Sequence, residues 1–258
     1  MRFQLAAARV SFVMFLVAAA IGLAAVAGVR LGQFPYASGL KLMVPAVALG
    51  LIAFAAGAAW CHRAFQRNQA EGRRLGITGF LGAILLLYPP LTTQARGFFA
   101  PPIHDATTDP HDAPRFVALA KERKPGMNSL AFHPEQRIRF HRRDITVAVA
   151  MNDYYNDVNH SHAFLLPKSK DPAATLFWRC FAAAKNLGWH IVAYNEKQGR
   201  IEATDTSFWF GIVSDIVIRV QPAGTIGARY DIRSESREGE VDHGANIARL
   251  KSFIRWMQ

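Results

Sequence analysis

Residues 199–222 read GRIEATDTSFWFGIVSDIVIRVQP, and two strands are written into them. Ile201 and Ala203, then Ile216, Ile218 and Val220, alternate with Arg200, Glu202 and Thr204, then Asp215 and Arg219. A period of two puts apolar side chains on one face of a strand and polar ones on the other. The alternation predicts strands over Arg200–Thr206 and Asp215–Gln221, flanked by two more over Trp189–Tyr194 and Ala228–Ser236. In the last of these Tyr230 and Ile232 alternate with Arg229, Asp231 and Arg233. Lys197-Gln198-Gly199 and Pro222-Ala223-Gly224 are turn formers. Connections this short imply antiparallel neighbours.

Helical periods bracket the strands. Asp171-Pro172 reads as an N-cap with proline at the first helical position, and Gly188 as the stop. Between them Phe177, Cys180, Phe181, Ala184 and Leu187 share one side. Asp242 caps a closing helix whose apolar side is Ile247, Leu250, Ile254 and Met257. The expected fold is α+β, a four-stranded antiparallel sheet with two helices on its apolar face. Upstream, Pro101-Pro102, Pro110, Pro114 and Pro125 make 97–125 an irregular connector. Residues 126–165 show no sustained period: Ile145–Met151 has the β-branched content of a strand, and Asp153-Tyr154-Tyr155-Asn156-Asp157 reads as a turn.

The first third is different in kind. Val10–Val29, Leu42–Trp60 and a run from Leu75 through Leu91 to about residue 95 are each long enough to span a bilayer as a helix. Tyr88-Pro89-Pro90 suits an exit at the interface. Arg2 and Arg9 precede the first span and Arg63, Arg67, Arg73 and Arg74 crowd the second loop, against Arg30 and Lys41 in the first. The positive-inside bias then places the N-terminus in the cytoplasm and everything after Gly97 across the membrane, the periplasm for a bacterial inner membrane. The plan is a membrane domain over 1–96, a connector over 97–125 and a soluble domain over 126–258. Ala25-Val26-Ala27 after an apolar run also fits a cleaved signal peptide, but the run is long for one, and an uncleaved span is favoured. The domain faces outward either way.

The net charge of +11 divides unevenly: nine Lys/Arg and one acid (Glu71) in residues 1–96 make +8, leaving +3 for the rest. The basicity therefore flanks membrane helices, and no stripe of cations and aromatics tracks a phosphate backbone, which argues against nucleic acid. Cys61 and Cys180 fall on opposite sides of the membrane and cannot pair. The soluble domain must stand on its own core.

Several phrases recur in a recognisable order: Pro101-Pro102-Ile103-His104-Asp105-Ala106-Thr107-Thr108-Asp109, Pro114-Arg115-Phe116-Val117, Leu187-Gly188-Trp189, Gly199-Arg200-Ile201-Glu202-Ala203-Thr204, Phe208-Trp209-Phe210-Gly211, Asp215-Ile216-Val217-Ile218-Arg219-Val220, Asp231-Ile232-Arg233-Ser234 and Gly244-Ala245-Asn246. As a set they resemble the domain-of-unknown-function 1499 family, over roughly residues 100–117 and 150–257. The stretch near 126–148 is longer than the family pattern, a local elaboration. The resemblance implies a membrane-anchored envelope protein and brings no established activity.

Three groups of residues carry candidate chemistry. His104, Asp105, Asp109, His111 and Asp112, with His160, His162, Asp153 and Asp157, supply ligand types for zinc or manganese. Against that, the segment lacks a metal-binding spacing and its Asp and Thr residues are turn formers; His104-Asp105 suits docking the connector on the sheet. Glu202, Thr204, Asp215, Arg219, Asp231 and Arg233 form one polar row. It is either a solvated face, as antiparallel sheets often have, or a surface for an anionic headgroup or glycan with Arg219 and Arg233 as donors. Phe208-Trp209-Phe210-Gly211 either plugs the core or presents an apolar patch, with Trp209 as a ligand contact.

No nucleophile elbow, Ser-x-x-Lys pair or phosphate loop is present in residues 97–258. The reading is an inner-membrane-anchored periplasmic binding or interaction module without cofactor, in contact with the bilayer and with a lipid headgroup, glycan or envelope protein. The alternative is a metal-dependent hydrolase using the His/Asp cluster. A third is an assembly factor whose spans are the working part.

Overall fold

The computed structural model describes residues 2–67, 72–151, 168–224 and 227–258. Two compact units make up the chain, one of Met1–Ala95 with Trp209–Gly211 and one of Arg96–Phe208 with Ile212–Gln258.

The first unit is built on helices α1 (Arg2–Arg30), α2 (Tyr36–Arg67) and α3 (Arg73–Phe99). Their apolar lengths of 28, 31 and 27 residues correspond to about 40–47 Å at the rise of an α-helix, beyond the ~30 Å of a bilayer core. All three are long and apolar enough to cross a membrane. Small residues line their contacts, as expected where apolar solvent offers no hydrophobic drive and backbones must approach closely. Ala8, Ala18, Ala25, Ala46 and Ala53 are fully buried. Gly76, Gly79 and Gly82 make a stripe on α3 beneath Trp60, the Ser11-Phe12 backbone and Phe15 respectively. Ser11 Oγ donates to the Ala53 carbonyl at 2.8 Å, joining α1 to α2. The expected exit at Tyr88-Pro89-Pro90 needs correction: α3 runs through both prolines to Phe99. A proline deletes one backbone donor without ending a helix whose other amides remain paired.

The second unit contains the expected meander. Strands β5 (His190–Asn195), β6 (Arg200–Thr206), β7 (Val213–Pro222) and β8 (Ala228–Ser236) pair antiparallel in sequence order. Gly199, at φ 62°, lies where a Cβ would sit 2.0 Å from the Val220 carbonyl oxygen, so the β5–β6 turn admits only glycine. The sheet is wider than expected. Beyond β8, β1 (Asp105–Thr107) adds a fifth position, and β4 (Lys168–Ser169) pairs with β8 farther along the same edge. A three-residue strand among prolines shows no alternation, so the connector's contribution was invisible to periodicity. It also covers an edge that would otherwise be open.

Helices α4 (Ala173–Asn186) and α5 (Ala245–Met257) cover one face. Leu176, Phe177, Cys180, Ile201, Ile216, Ile218, Ile232, Ile247, Leu250 and Phe253 are essentially sealed there. Gly188 ends α4 as expected, with Gly188 N–H on the Lys185 carbonyl and Trp189 N–H on that of Ala184. Asp171 does not cap α4. Pro172 occupies the cap position, and Asp171 instead pairs with Arg179 and Ser169. Gly244, at φ 77°, occupies the cap position of α5 in place of the expected Asp242, which lies two residues earlier and accepts the N–H groups of Gly244 and Asn246 at 2.8 Å each.

Part of 126–165 forms a ribbon, β2 (Arg137–Phe140) and β3 (Arg143–Thr146), joined by His141 and Arg142 at φ 46° and 64°. The strand expected over Ile145–Met151 is only its first two residues, since 147–151 are helical. The turn expected at Asp153–Asp157 lies outside the described residues, as do His160 and His162.

Candidate functional site

Register settles which side chains share the polar face. Glu202 opposes Val217, Thr204 opposes Asp215, Arg219 opposes Asp231, and Asp215 opposes Glu235. Glu202, Thr204, Asp215, Arg219, Asp231 and Arg233 therefore do lie on one side of the sheet, with Glu235 continuing the row. That side is not an open surface. Asp215, Asp231 and Glu235 are 0% exposed, Glu202 1% and Arg233 2%. The covering layer is the proline-rich connector, which crosses the face as a strap over residues 108–132. It carries a short 3-10 helix, Leu119–Glu122, and a small second core of Phe116, Leu119 and Val217 with Leu130 and Val192.

Every charged member of the row is turned to this strap or to a neighbour. The Glu202 carboxylate accepts the backbone N–H groups of Val117, Ala118 and Leu119 at 2.9–3.1 Å and is paired with Arg200 at 3.0 Å. It thereby caps the 3-10 helix from the sheet. Arg233 forks onto Asp105 and donates to the carbonyls of Pro114 and Leu130. Its guanidinium lies 5.1 Å from the Phe116 ring and 5.4 Å from that of Phe132. Arg219 holds Asp231 at 2.7 Å and donates to Asp112 through both carboxylate and carbonyl. Asp215 is held between Arg123 at 2.9 Å and Arg237 at 2.8 Å. Thr204 is half-buried beside it.

Glu235 is the member that alternation extended by two residues would have added. Arg123 approaches it at 3.1 Å and Arg233 at 3.8 Å, yet neither carboxylate oxygen has an aligned hydrogen bond. Burial, and then the neighbouring Asp105 carboxylate, push its acid up to about 8. Burial also raises Asp215 and Asp231, against the pull of their arginines. Arg123, essential to this network, sits where the sequence has no period to single it out, whereas Arg237 is next in phase after Glu235, one residue past the end of β8.

Among the described residues the His/Asp group does not converge. Asp105 serves Arg233 and Asp112 serves Arg219, while Asp109 accepts the N–H groups of His111 and Asp112 in a turn. His104 Nδ1 lies 3.3 Å from the Glu240 carbonyl, and its own carbonyl accepts from Ser236 and Asn246, docking the connector on the sheet. Among the described residues no three His, Cys, Asp or Glu side chains gather as a metal site. Cys180 is buried, its thiol pushed up to about 12, which removes it as a nucleophile.

Trp209 stands apart from the row. The β6–β7 turn closes through Ser207 N–H on the Ile212 carbonyl and Ile212 N–H on Ser207 Oγ. Phe208 is 81% exposed and Trp209 50%, so these two rings do not plug the core, while Phe210 is half-buried edge-on against Tyr36 at 5.4 Å.

The family model described as a protein of unknown function, DUF1499, matches residues 105–257. The chain belongs to that family. The DUF1499 match opens on the first residue of β1 and closes on the last of α5, so the strap lies inside it. The Gly244-Ala245-Asn246 motif of this DUF1499 chain has a structural role: Asn246 is fully buried and bridges Ser234, Ser236 and the His104 carbonyl, tying α5 to β8 and to the entry of β1. No curated protein matches the chain.

Proposed function

We propose that this DUF1499 protein is a binding or interaction module of the bacterial envelope, anchored in the inner membrane with its α+β domain in the periplasm. The arginine asymmetry around three apolar helices supports the placement. The observation that carries the functional reading is the β6–β7 turn. A turn closed by two hydrogen bonds leaves much of the Phe208 side chain and half of the Trp209 side chain exposed, apolar area whose solvation is costly. Aromatic rings with one polar edge suit the headgroup level of a bilayer or the centre of a protein interface. With Arg219 and Arg233 engaged internally, Trp209 is the contact on which recognition of a lipid headgroup, glycan or envelope protein centres. The hydrolase alternative loses ground because Asp105, Asp109 and Asp112 are occupied by arginines and backbone amides.

A photo-reactive phenylalanine analogue at position 208, in otherwise intact cells, tests this. The expected result is a discrete cross-link to lipid or to one envelope protein, lost with Trp209→Ala while the melting temperature stays unchanged. Cross-linking no greater than at an exposed polar position such as Glu196 would contradict it.

A further inference from the structure

Charge is matched on the sheet face and left open on the ribbon of β2 and β3. Arg123, Arg219, Arg233 and Arg237 are salt-bridged to buried carboxylates. Arg137, Arg139 and Arg142 are exposed, and none of the three has an ion pair among the described residues. Four arginines in residues 133–144, against Glu135 and Asp144, leave that segment at +2 of the +3 carried by residues 97–258. Asp144 stands opposite Arg139 in the register and offsets only part of the charge. The two sides of the ribbon are sorted by period: Ile138 packs on the main core, and Arg137 and Arg139 alternate to the solvent side. His141 and Arg142 make the two-residue turn at φ 46° and 64°, where glycine or asparagine fits best. Turn chemistry therefore does not account for a guanidinium at the tip.

The ribbon is fixed to the end of a candidate span. The second unit begins at Arg96, so the last turn of α3 belongs to it. His141 Nε2 donates to the Phe98 carbonyl at 3.0 Å, and the imidazole stacks on the Phe140 ring at 4.0 Å and lies 5.9 Å from that of Phe98. Phe98 and Phe99 are 70% and 63% exposed, edge-on to each other and close in sequence to the exposed Arg96. At 27 apolar residues α3 exceeds a bilayer core by about 10 Å, which carries its last turn to the headgroup layer, where aromatic rings and arginines are favoured. We infer that the ribbon is a binding surface for anionic phospholipid headgroups in the leaflet where α3 ends, with Arg137, Arg139 and Arg142 as the phosphate donors. A guanidinium forks onto phosphate through paired N–H groups, and cations beside an anionic membrane gain from its surface potential. Lipid is the occupant because that potential reaches only about 8 Å at physiological salt, and the turn carrying Arg142 is hydrogen-bonded to the end of the span. Membrane insertion of α3 is shared with the proposed function; the Trp209 turn is not involved.

The test uses full-length protein in nanodiscs of about one part phosphatidylglycerol to nine of phosphatidylcholine, with native mass spectrometry counting the lipids kept by the released protein. Wild type is expected to keep phosphatidylglycerol about threefold or more above the bulk ratio, and Arg137→Gln/Arg139→Gln/Arg142→Gln to lose at least half of that excess. Removing the same charge elsewhere, with Lys185→Gln/Lys197→Gln/Arg255→Gln, should leave it in place. Equal losses in the two variants, or none in the first, overturn the proposal. Should the ribbon variant fail to fold, a fluorophore on Gln136→Cys in a Cys61→Ser background decides. Phosphatidylglycerol spin-labelled just below its headgroup should quench it about twofold more than phosphatidylcholine labelled alike, and high salt should erase the difference. Equal quenching at low salt overturns the proposal. A protein that does not enter the nanodisc overturns the membrane placement and this surface together, whereas phosphatidylglycerol enrichment without a cross-link at position 208 leaves this surface standing.

Discussion

Glu202 shows how much one side chain can organise. Its carboxylate satisfies three backbone amides of the strap and one arginine while 1% exposed. Glu202→Ala leaves those donors unmet in a dry setting, and a loss of about 2–4 kcal/mol is expected in denaturant unfolding. Glu235 makes the opposite case. Its folded-state acid is raised to about 8 from an ordinary value of 4.5. The folded protein therefore holds a proton that the unfolded chain releases. Its contribution is complete below about pH 4.5, declines as pH rises and is gone above about 8. Glu235→Gln should flatten the stability profile across that window; an unchanged slope in thermal melts from pH 5 to 8 would assign the slope to other groups. The polar row was legible from Arg200 to Arg233 because a period of two survives any tertiary context. Its burial was not, since the strap reaches the sheet through backbone groups and through Asp112, Phe116, Leu119 and Arg123, which follow no strand or helix period.

At the scale of elements, the meander and both covering helices follow from alternation and helical spacing. β1 does not, being three residues whose partner lies 126 or more positions away. Asp171 misled for a related reason: a carboxylate before proline satisfies the N-cap pattern, but Arg179 one face along the helix competes for it. Among the membrane helices, the glycine stripe on α3 makes the sharpest prediction. A Cβ at Gly79 would lie 2.6 Å from the backbone of Ser11 and Phe12, whereas nothing lies within 4 Å at Gly22. Gly79→Val should lower the melting temperature in detergent by several degrees, and Gly22→Val should leave it nearly unchanged. Equal effects would show that α3 does not pack on α1 through this stripe. In the ribbon, Arg142 at φ 64° holds a backbone better suited to glycine. Arg142→Gly is expected to stabilise by about 1 kcal/mol, read as a shift in denaturant midpoint.

For the whole molecule, the charge distribution and the three spans carry more than any motif. Three helices long and apolar enough to cross a membrane suggest membrane association, and the proposed direction rests on the arginines crowding the second loop against the two cations of the first. The family supplies the extent of the domain and no chemistry, so the account rests on where that domain is displayed. A membrane-impermeant maleimide, applied to cells with permeabilised outer membranes, tests this directly. In a Cys61→Ser background the buried Cys180 stays silent, and Glu196→Cys reports the domain while Gln66→Cys, exposed in the last turn of α2, reports the end of that helix next to the loop before α3. The account predicts labelling at 196 and none at 66 until the inner membrane is broken. Labelling at 66 with protection at 196 would put the domain in the cytoplasm and contradict the account at its centre.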